Sequence, residues 1–144
     1  MYPEMLIAPM RQELTRLGVQ ELKTPDEVQA TLSDTSEPTL LVVNSMCGCA
    51  ARNARPAVAL ALQNEKKPAK LTTVFAGQDQ EATAAARAFI HGYPPSSPSI
   101  ALLKDGKLVY MLERWQIEGR SSTQIAQDLR TAFDRYCAPV EQRA

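Results

Sequence analysis

The chain has 144 residues, of which 44 % are hydrophobic and 22 % are charged, values typical of a folded globular domain. Sixteen Lys plus Arg balance sixteen Asp plus Glu, so the net charge is zero and no long-range field attracts nucleic acid or anionic lipid. No apolar run approaches the roughly 20 residues that cross a bilayer, and the first residues lack a signal-peptide pattern. These features predict one domain over residues 1–144, in the cytoplasm, without a nucleic-acid or membrane partner.

The first predicted element is a helix that carries an apolar stripe and ends at Gly18. The stripe residues are Met5, Met10, Leu14 and Leu17. A short strand is predicted over residues 19–22. Thr24 then has the character of a helix cap, with Pro25 at the first helical position, so a second helix should follow.

The middle of the chain alternates between apolar runs and alanine-rich stretches. Residues 39–44 are aliphatic or β-branched, which predicts a strand buried on both faces. Residues 50–64 predict a helix, and Pro56 should kink it because proline lacks a backbone donor. A further strand is predicted over residues 70–75, and a helix should begin at Asp79.

The last third of the chain predicts a hairpin and a helix. Residues 99–103 and 107–111 flank an Asp-Gly pair, which is a strong signal for a hairpin turn. Ser121 with Gln124 forms a capping box before the final helix. Tyr110 and Trp115 are interpreted as residues that pack beside the hairpin.

Together the elements predict an α/β fold. Strands joined through helices need parallel crossovers, and the hairpin adds antiparallel pairing. We therefore expect a mixed sheet of four to five strands with helices on both faces, although the pattern leaves the strand order open. Sheets of this class place their sites at the carboxyl ends of strands, and Cys47 lies just beyond one.

The cysteines are the strongest functional signal in the chain. Cys47 and Cys49 are separated only by Gly48, and the third cysteine is Cys137. A close pair in a reducing compartment is more often redox-active or metal-binding than structural. At a helix start, free N–H groups and the helix dipole stabilise a thiolate. We therefore predict that Cys47 is the nucleophile and Cys49 the resolving thiol.

Other readings of the cysteines stay open. A disulfide across one residue closes a tight ring, so the bond should be easily reduced and suited to catalysis. Two inert buried cysteines are one alternative. A zinc site is another, with Cys137 and His91 completing the coordination of the pair, although His91 is better explained as an exposed loop residue.

A proline lies at the entrance of the strand that begins at residue 99. Pro98 cannot sit inside a central strand, so its position marks the boundary. On base rates alone the Ser97–Pro98 bond should be trans, because only about one X–Pro bond in twenty is cis.

The order of elements resembles the thioredoxin fold, which carries redox cysteines at a strand-to-helix turn and a cis-proline at the position of Pro98. The chain lacks the tryptophan-led C-G-P-C motif and the buried aspartate of ordinary thioredoxins. Instead, it resembles the bacilliredoxin family over nearly its whole length. The segments that carry this resemblance are residues 44–51 (NSMCGCAA), 54–56 (ARP), 74–79 (VFAGQD) and 95–104 (PSSPSIALLK).

The resemblance implies an enzyme that removes bacillithiol from protein mixed disulfides. Cys47 would take the mixed disulfide, Cys49 would be available to resolve it, and the Ser97–Pro98 bond would be cis. Bacillithiol would be a thiol co-substrate, with no bound cofactor and no metal. The implied partners are bacillithiolated client proteins, bacillithiol itself and a reductase that recycles the enzyme.

Four residues near the motif are candidates for substrate binding. Ser97 and Pro98 would present backbone groups to an extended substrate. Arg52 and Arg55 could lower the pKa of the nucleophilic thiol or contact the carboxylates of bacillithiol, or belong to a solvated helix face. Arg52 also departs from the small residue expected there in many family members. The alternatives for function are a general protein disulfide reductase or isomerase, and a non-catalytic thiol- or metal-binding module.

Overall fold

The computed structural model describes residues 1–139. Strands and helices alternate through most of the chain, as predicted. The strands are β1 (Gln20–Glu21), β2 (Thr39–Asn44), β3 (Lys70–Phe75), β4 (Ser99–Lys104) and β5 (Lys107–Leu112). The helices are α1 (Glu4–Thr15), α2 (Pro25–Leu32), α3 (Arg55–Ala61), α4 (Gln80–Arg87), α5 (Arg114–Ile117) and α6 (Ser122–Tyr136).

The five strands form one mixed sheet in the order β1-β3-β2-β4-β5. β3 pairs in parallel with β1 and β2, whereas β4 pairs antiparallel with β2 and β5. This arrangement confirms the predicted mixed sheet and supplies the strand order that the sequence left open. The carboxyl ends of β2 and β5 and the start of β4 therefore share one edge of the sheet.

Helices cover both faces of the sheet, as predicted. All six residues of β2 are buried, and their side chains alternate between two cores. Leu40 and Val42 belong to the core that includes residues of α3 and α6. Leu41 and Val43 belong to the core that includes residues of α2 and α4. Packing on both sides fixes β2 and hence the start of the turn that follows it.

The inward face of α1 differs from the predicted stripe. Met5 is 89 % exposed, whereas Ile7, Arg11 and Leu14 are buried. Leu14 and Leu17 of the stripe pack on the core as predicted, but Met5 does not, and the charged Arg11 takes a buried position of the helix instead.

Arg11 is accommodated in a buried position because three carboxylates surround its guanidinium. It contacts Glu4, Glu21 and Asp79 at 2.7 Å each. Its guanidinium also lies 5.3 Å from the centre of the Phe75 ring. This Arg11 cluster joins α1 to the region of β1 and to the start of α4. Asp79 precedes α4 as predicted, but its side chain binds Arg11 and makes no cap hydrogen bond.

The predicted helix over residues 50–64 is shorter and irregular. Residues Ala50–Ala54 form a π-helical turn, and the α-helical part, α3, ends at Ala61. Pro56 lies in the first turn of α3, where its missing N–H is tolerated. The expected distortion is therefore present as a widened turn directly before the proline.

The hairpin and the final helix are confirmed, with one addition. Asp105 and Gly106 both have positive φ, at 54° and 74°. A two-residue hairpin turn needs such angles if its twist is to match the twist of the two strands. The Ser121 capping box is present. Helix α5 was not predicted. Tyr110 packs against the core, but Trp115 is 72 % exposed, so the prediction that it packs is wrong.

Candidate active site

The cysteine motif begins three residues after β2 ends, and a buried arginine supports the connection. Arg55 donates to Asn44 Oδ1 and to the Ser45 carbonyl, both at 2.9 Å. It also pairs with Glu13 at 3.0 Å. Because Arg55 is only 3 % exposed, the structure does not bring it to the surface as the predicted substrate contact. It holds the strand-to-helix turn in place instead.

Cys47 lies just before helical backbone, at the position predicted for the nucleophile. Burial raises the pKa of its thiol, but several groups that stabilise the thiolate outweigh burial and lower the pKa overall. These groups are the Ser45 hydroxyl, which lies 3.2 Å from Cys47 Sγ, the N–H groups of Ala50 and Cys49, and the charge of Arg114. Cys47 is therefore the thiol that ionises more readily.

Cys49 has the opposite electrostatic environment. Burial raises the pKa of its thiol, and the negative charges of Cys47 and Glu118 raise it further, although Arg114 acts against them. Both thiols are free and partly exposed. The pKa of Cys47 is thus lowered and that of Cys49 raised, which suits a nucleophile that ionises first and a resolving thiol that stays protonated.

We predict that Ser45→Ala raises the pKa of Cys47. The variant removes the Ser45 hydrogen bond that helps to lower the pKa of the Cys47 thiol, so the thiolate loses one of its stabilising contacts. The measurement is the rate of Cys47 alkylation by iodoacetamide against pH, with peptide mapping to separate the cysteines. Ser36→Ala, in the exposed loop before β2, is the control and should leave the profile unchanged. An unchanged profile for Ser45→Ala would contradict this role of Ser45.

A groove with a volume of about 370 Å³ opens beside Cys47. Tyr2 and Gly77 lie on its wall together with Ser97 and Arg114. The Ser97–Pro98 bond is cis, as the family resemblance implied and against the base-rate expectation, and Pro98 is buried. The structure thus brings Ser97 to the same groove as the nucleophile.

Arg114, like Ser45, belongs to this site although the sequence did not predict it. Its Nη1 donates to the Ser97 carbonyl at 3.3 Å, and its Nη2 lies 4.0 Å from Cys49 Sγ. Its Nε pairs with Glu118 at 3.1 Å. The hairpin offered a signal, because the register of β4 against β5 returns residue 114 to the edge of the sheet where residue 97 lies.

Arg52 is exposed and lies over the motif. A side chain at position 48 would approach Arg52 Nη2 to 2.6 Å, so the guanidinium covers the open face of Gly48. Arg52 is outside the set of residues that line the Cys47 groove. Its predicted contact with substrate stays a prediction.

The residues of the alternative zinc site are not assembled. Cys137 is buried in the core that contains Phe133, and His91 is exposed in a loop. Within residues 1–139, no group of three or more His, Cys, Asp or Glu side chains is placed to hold a metal ion. In the same range, no helix has the length and apolar character needed to span a bilayer.

Sequence comparison identifies relatives over nearly the whole chain. Residues 2–137 match a family described as disulphide isomerase. A bacilliredoxin of Salinibacter ruber is 54 % identical over 145 aligned residues, covering 99 % of this chain and 85 % of the relative. A bacilliredoxin of Symbiobacterium thermophilum is 61 % identical, covering 82 % of this chain and 84 % of the relative.

Solved structures with a similar fold are thioredoxins. Oxidised thioredoxin O2 from Arabidopsis thaliana has a TM-score of 0.56 at 17 % identity, covering 82 % of this chain and 96 % of that protein. A thioredoxin of Malassezia sympodialis has a TM-score of 0.55 at 13 % identity, with 83 % and 91 % covered. At these identities the similarity establishes the thioredoxin-like fold alone.

Proposed function

The chain belongs to the bacilliredoxin family, and on that premise we propose that it removes bacillithiol from mixed disulfides with protein thiols. Its class of activity, thiol–disulfide oxidoreduction, follows from the family, the fold and the cysteine pair. The observation that carries the narrower proposal is the Cys47 thiol, which has a lowered pKa and lies on the wall of an open groove.

The first step is attack of the Cys47 thiolate on the bacillithiol sulfur of the mixed disulfide. A new disulfide forms between Cys47 and bacillithiol, the old disulfide breaks, and the client cysteine leaves as a thiolate. The protein thiol is thereby reduced, and the bacillithiol is carried by the enzyme. The lowered pKa of Cys47 raises the fraction of thiolate available for this attack near neutral pH.

The second step releases bacillithiol by one of two routes. Cys49, once deprotonated, attacks Cys47 Sγ, which forms the Cys47–Cys49 disulfide and expels bacillithiol as a thiolate. Alternatively, the thiolate of a second bacillithiol attacks the bound bacillithiol sulfur, which frees Cys47 and forms bacillithiol disulfide. The raised pKa of Cys49 keeps it protonated until the first exchange is complete, which suits the resolving role.

Substrate is held by groups around the motif. Backbone groups of the Ser97–Pro98 segment offer hydrogen bonds to an extended client chain in the manner of strand addition. Arg52, exposed above Gly48, is proposed as a contact on the other side of the motif. The Ser97–Pro98 backbone and Arg52 would thus hold the client protein while its disulfide reacts with Cys47.

The partners and the location follow from this chemistry. Bacillithiol acts as a co-substrate, with no bound cofactor, and bacillithiolated proteins are the clients. After the Cys49 route, the disulfide needs two electrons from a separate reductase. We place the protein in the cytoplasm, because a reducing compartment keeps such a cysteine pair available.

General disulfide reduction or isomerisation is the second candidate, and the description of the matching family favours it. The two are separated by giving the protein a bacillithiolated client and insulin at equal concentration, with bacillithiol as the reductant. The proposal expects release of bacillithiol from the client well before any reduction of insulin. Faster reduction of insulin, with the client still modified, would favour the general reductase.

A further inference from the structure

The groove beside Cys47 is asymmetric in charge. Among the described residues that line it, Arg114 is the one with a permanently charged side chain, and the others are apolar, hydroxyl-bearing or glycine apart from the Cys47 thiol. A ligand that carries carboxylates and reaches the Cys47 sulfur through this groove therefore meets one guanidinium. We propose that Arg114 is the specificity-determining residue that binds a carboxylate of the bacillithiol portion of the substrate.

The geometry of Arg114 leaves its terminal nitrogens available. The side chain is 44 % exposed, and its ion pair with Glu118 uses Nε. Nη1 has only a 3.3 Å contact with the Ser97 carbonyl, and Nη2 has only a 4.0 Å contact with Cys49 Sγ. Such long contacts are readily exchanged for the shorter, bidentate hydrogen bonds that a carboxylate makes with a guanidinium.

The other arginines near the motif are less suited to this role. Arg55 is buried, with its donors occupied by Asn44, Ser45 and Glu13. Arg52 lies over Gly48, outside the lining of the groove. We therefore assign carboxylate recognition to Arg114, which follows β5, and not to Arg52 or Arg55, which follow the cysteine motif.

Binding a carboxylate at Arg114 would orient the mixed disulfide. Arg114 also contacts Ser97, and both line the same groove as Cys47, so the anchor and the nucleophile border one space. Orienting the bacillithiol sulfur towards Cys47 makes the client cysteine the leaving group. The inference rests on the proposed function and adds the residue that selects an acidic thiol over an uncharged one.

The test is the rate constant kcat/KM of Arg114→Gln on one client protein prepared with two adducts. One adduct is bacillithiol, and the other is 2-mercaptoethanol, which has no carboxylate. Loss of the Arg114 charge weakens Cys47 activation for both adducts, so the ratio of the two rate constants isolates recognition. We expect kcat/KM for the bacillithiol adduct, divided by kcat/KM for the 2-mercaptoethanol adduct, to fall on the order of tenfold in Arg114→Gln. Arg114→Lys, which keeps the charge without the planar fork, should lie between.

Arg120→Gln is the matched control, because it removes the same charge from a residue that pairs with Asp128 at 2.7 Å. Its ratio should equal that of the unmodified protein. An equal loss on both adducts, or no loss, for Arg114→Gln would overturn the inference and leave the proposed function intact. If the unmodified protein does not act on the bacillithiol adduct, the proposed function fails first, so the two failures are distinguishable.

Discussion

Cys47→Ser should reduce the transfer of bacillithiol from a client to the rate of the uncatalysed exchange, a loss of at least about 10³-fold. A serine hydroxyl does not ionise near neutral pH, even with the hydrogen bonds that stabilise the Cys47 thiolate, so the variant has no nucleophile at this position. Cys49 does not substitute for it, because burial and the charge of Glu118 still raise the pKa of its thiol after the Cys47 charge is gone. The measurement is the initial rate of client release, followed by the appearance of the free client thiol.

Cys137→Ser is the matched control for this result. It changes a cysteine that lies in the core formed with Phe133 and Leu129, away from the motif. Its transfer rate should equal that of the unmodified protein, provided that its unfolding temperature confirms the fold. Substantial transfer by Cys47→Ser would show that Cys49 can attack the client disulfide directly, contrary to the assigned roles.

Arg11→Met should lower the free energy of unfolding by about 3–5 kcal/mol and the melting temperature by about 10–20 °C. The guanidinium is buried among Glu4, Glu21 and Asp79, and its removal leaves these three carboxylates close together with only the exposed Lys23, 3.8 Å from Glu21, as a counter-charge. Methionine retains much of the side-chain volume, so the loss is chiefly electrostatic. Chemical denaturation at pH 7 measures the change.

The pH dependence of this loss identifies its cause. Arg11 lowers the pKa of Glu4 below its ordinary value of 4.5, so the stability linked to Glu4 is present above pH 4.5 and declines as the pH falls through the lower, folded-state pKa. Arg11→Met removes the share of this contribution that Arg11 supplies, so the difference between the two proteins should stay constant from pH 7 to about 4.5 and shrink as the pH falls further.

Arg16→Met provides the control for the Arg11 variant. Arg16 is exposed just after α1 and contacts the Gln12 carbonyl, so its replacement should change stability by less than about 0.5 kcal/mol. A loss for Arg11→Met that is equally large well below pH 4.5 and at pH 7 would point to packing instead of unpaired carboxylates.

Local signals in the chain predicted most elements of the fold. The continuous apolar run of β2 indicated burial on both faces, and its side chains do divide between two cores. Thr24 and Ser121 predicted helix starts because their hydroxyls accept bonds from backbone N–H groups within three residues. The cysteine pair was placed correctly because a buried strand followed by an alanine-rich run defines a strand-to-helix turn.

Features that depend on contacts between distant residues were not predictable in the same way. The inward face of α1 includes Arg11, whose burial depends on Asp79, 68 residues away. Arg55 looked like a motif-side arginine, but its partners are Asn44 and Glu13 on other elements. The pairing of β4 with β5, which was predicted, brings Arg114 towards the site, but its contacts with Ser97 and Glu118 depend on side-chain positions that the hairpin signal does not give. Side-chain patterns within one segment do not encode these pairings.

The most direct test of the account is peptide-mapped mass spectrometry after the reduced protein is mixed with a bacillithiolated client. Cys49→Ser should carry bacillithiol on Cys47 in proportion to the client thiol released, because its first step is intact and internal resolution is removed. The unmodified protein should show either the Cys47–Cys49 disulfide with free bacillithiol or the same adduct on Cys47. Bacillithiol found on Cys49, or a client that keeps its bacillithiol, would contradict the assignment of Cys47 as the residue that takes the mixed disulfide.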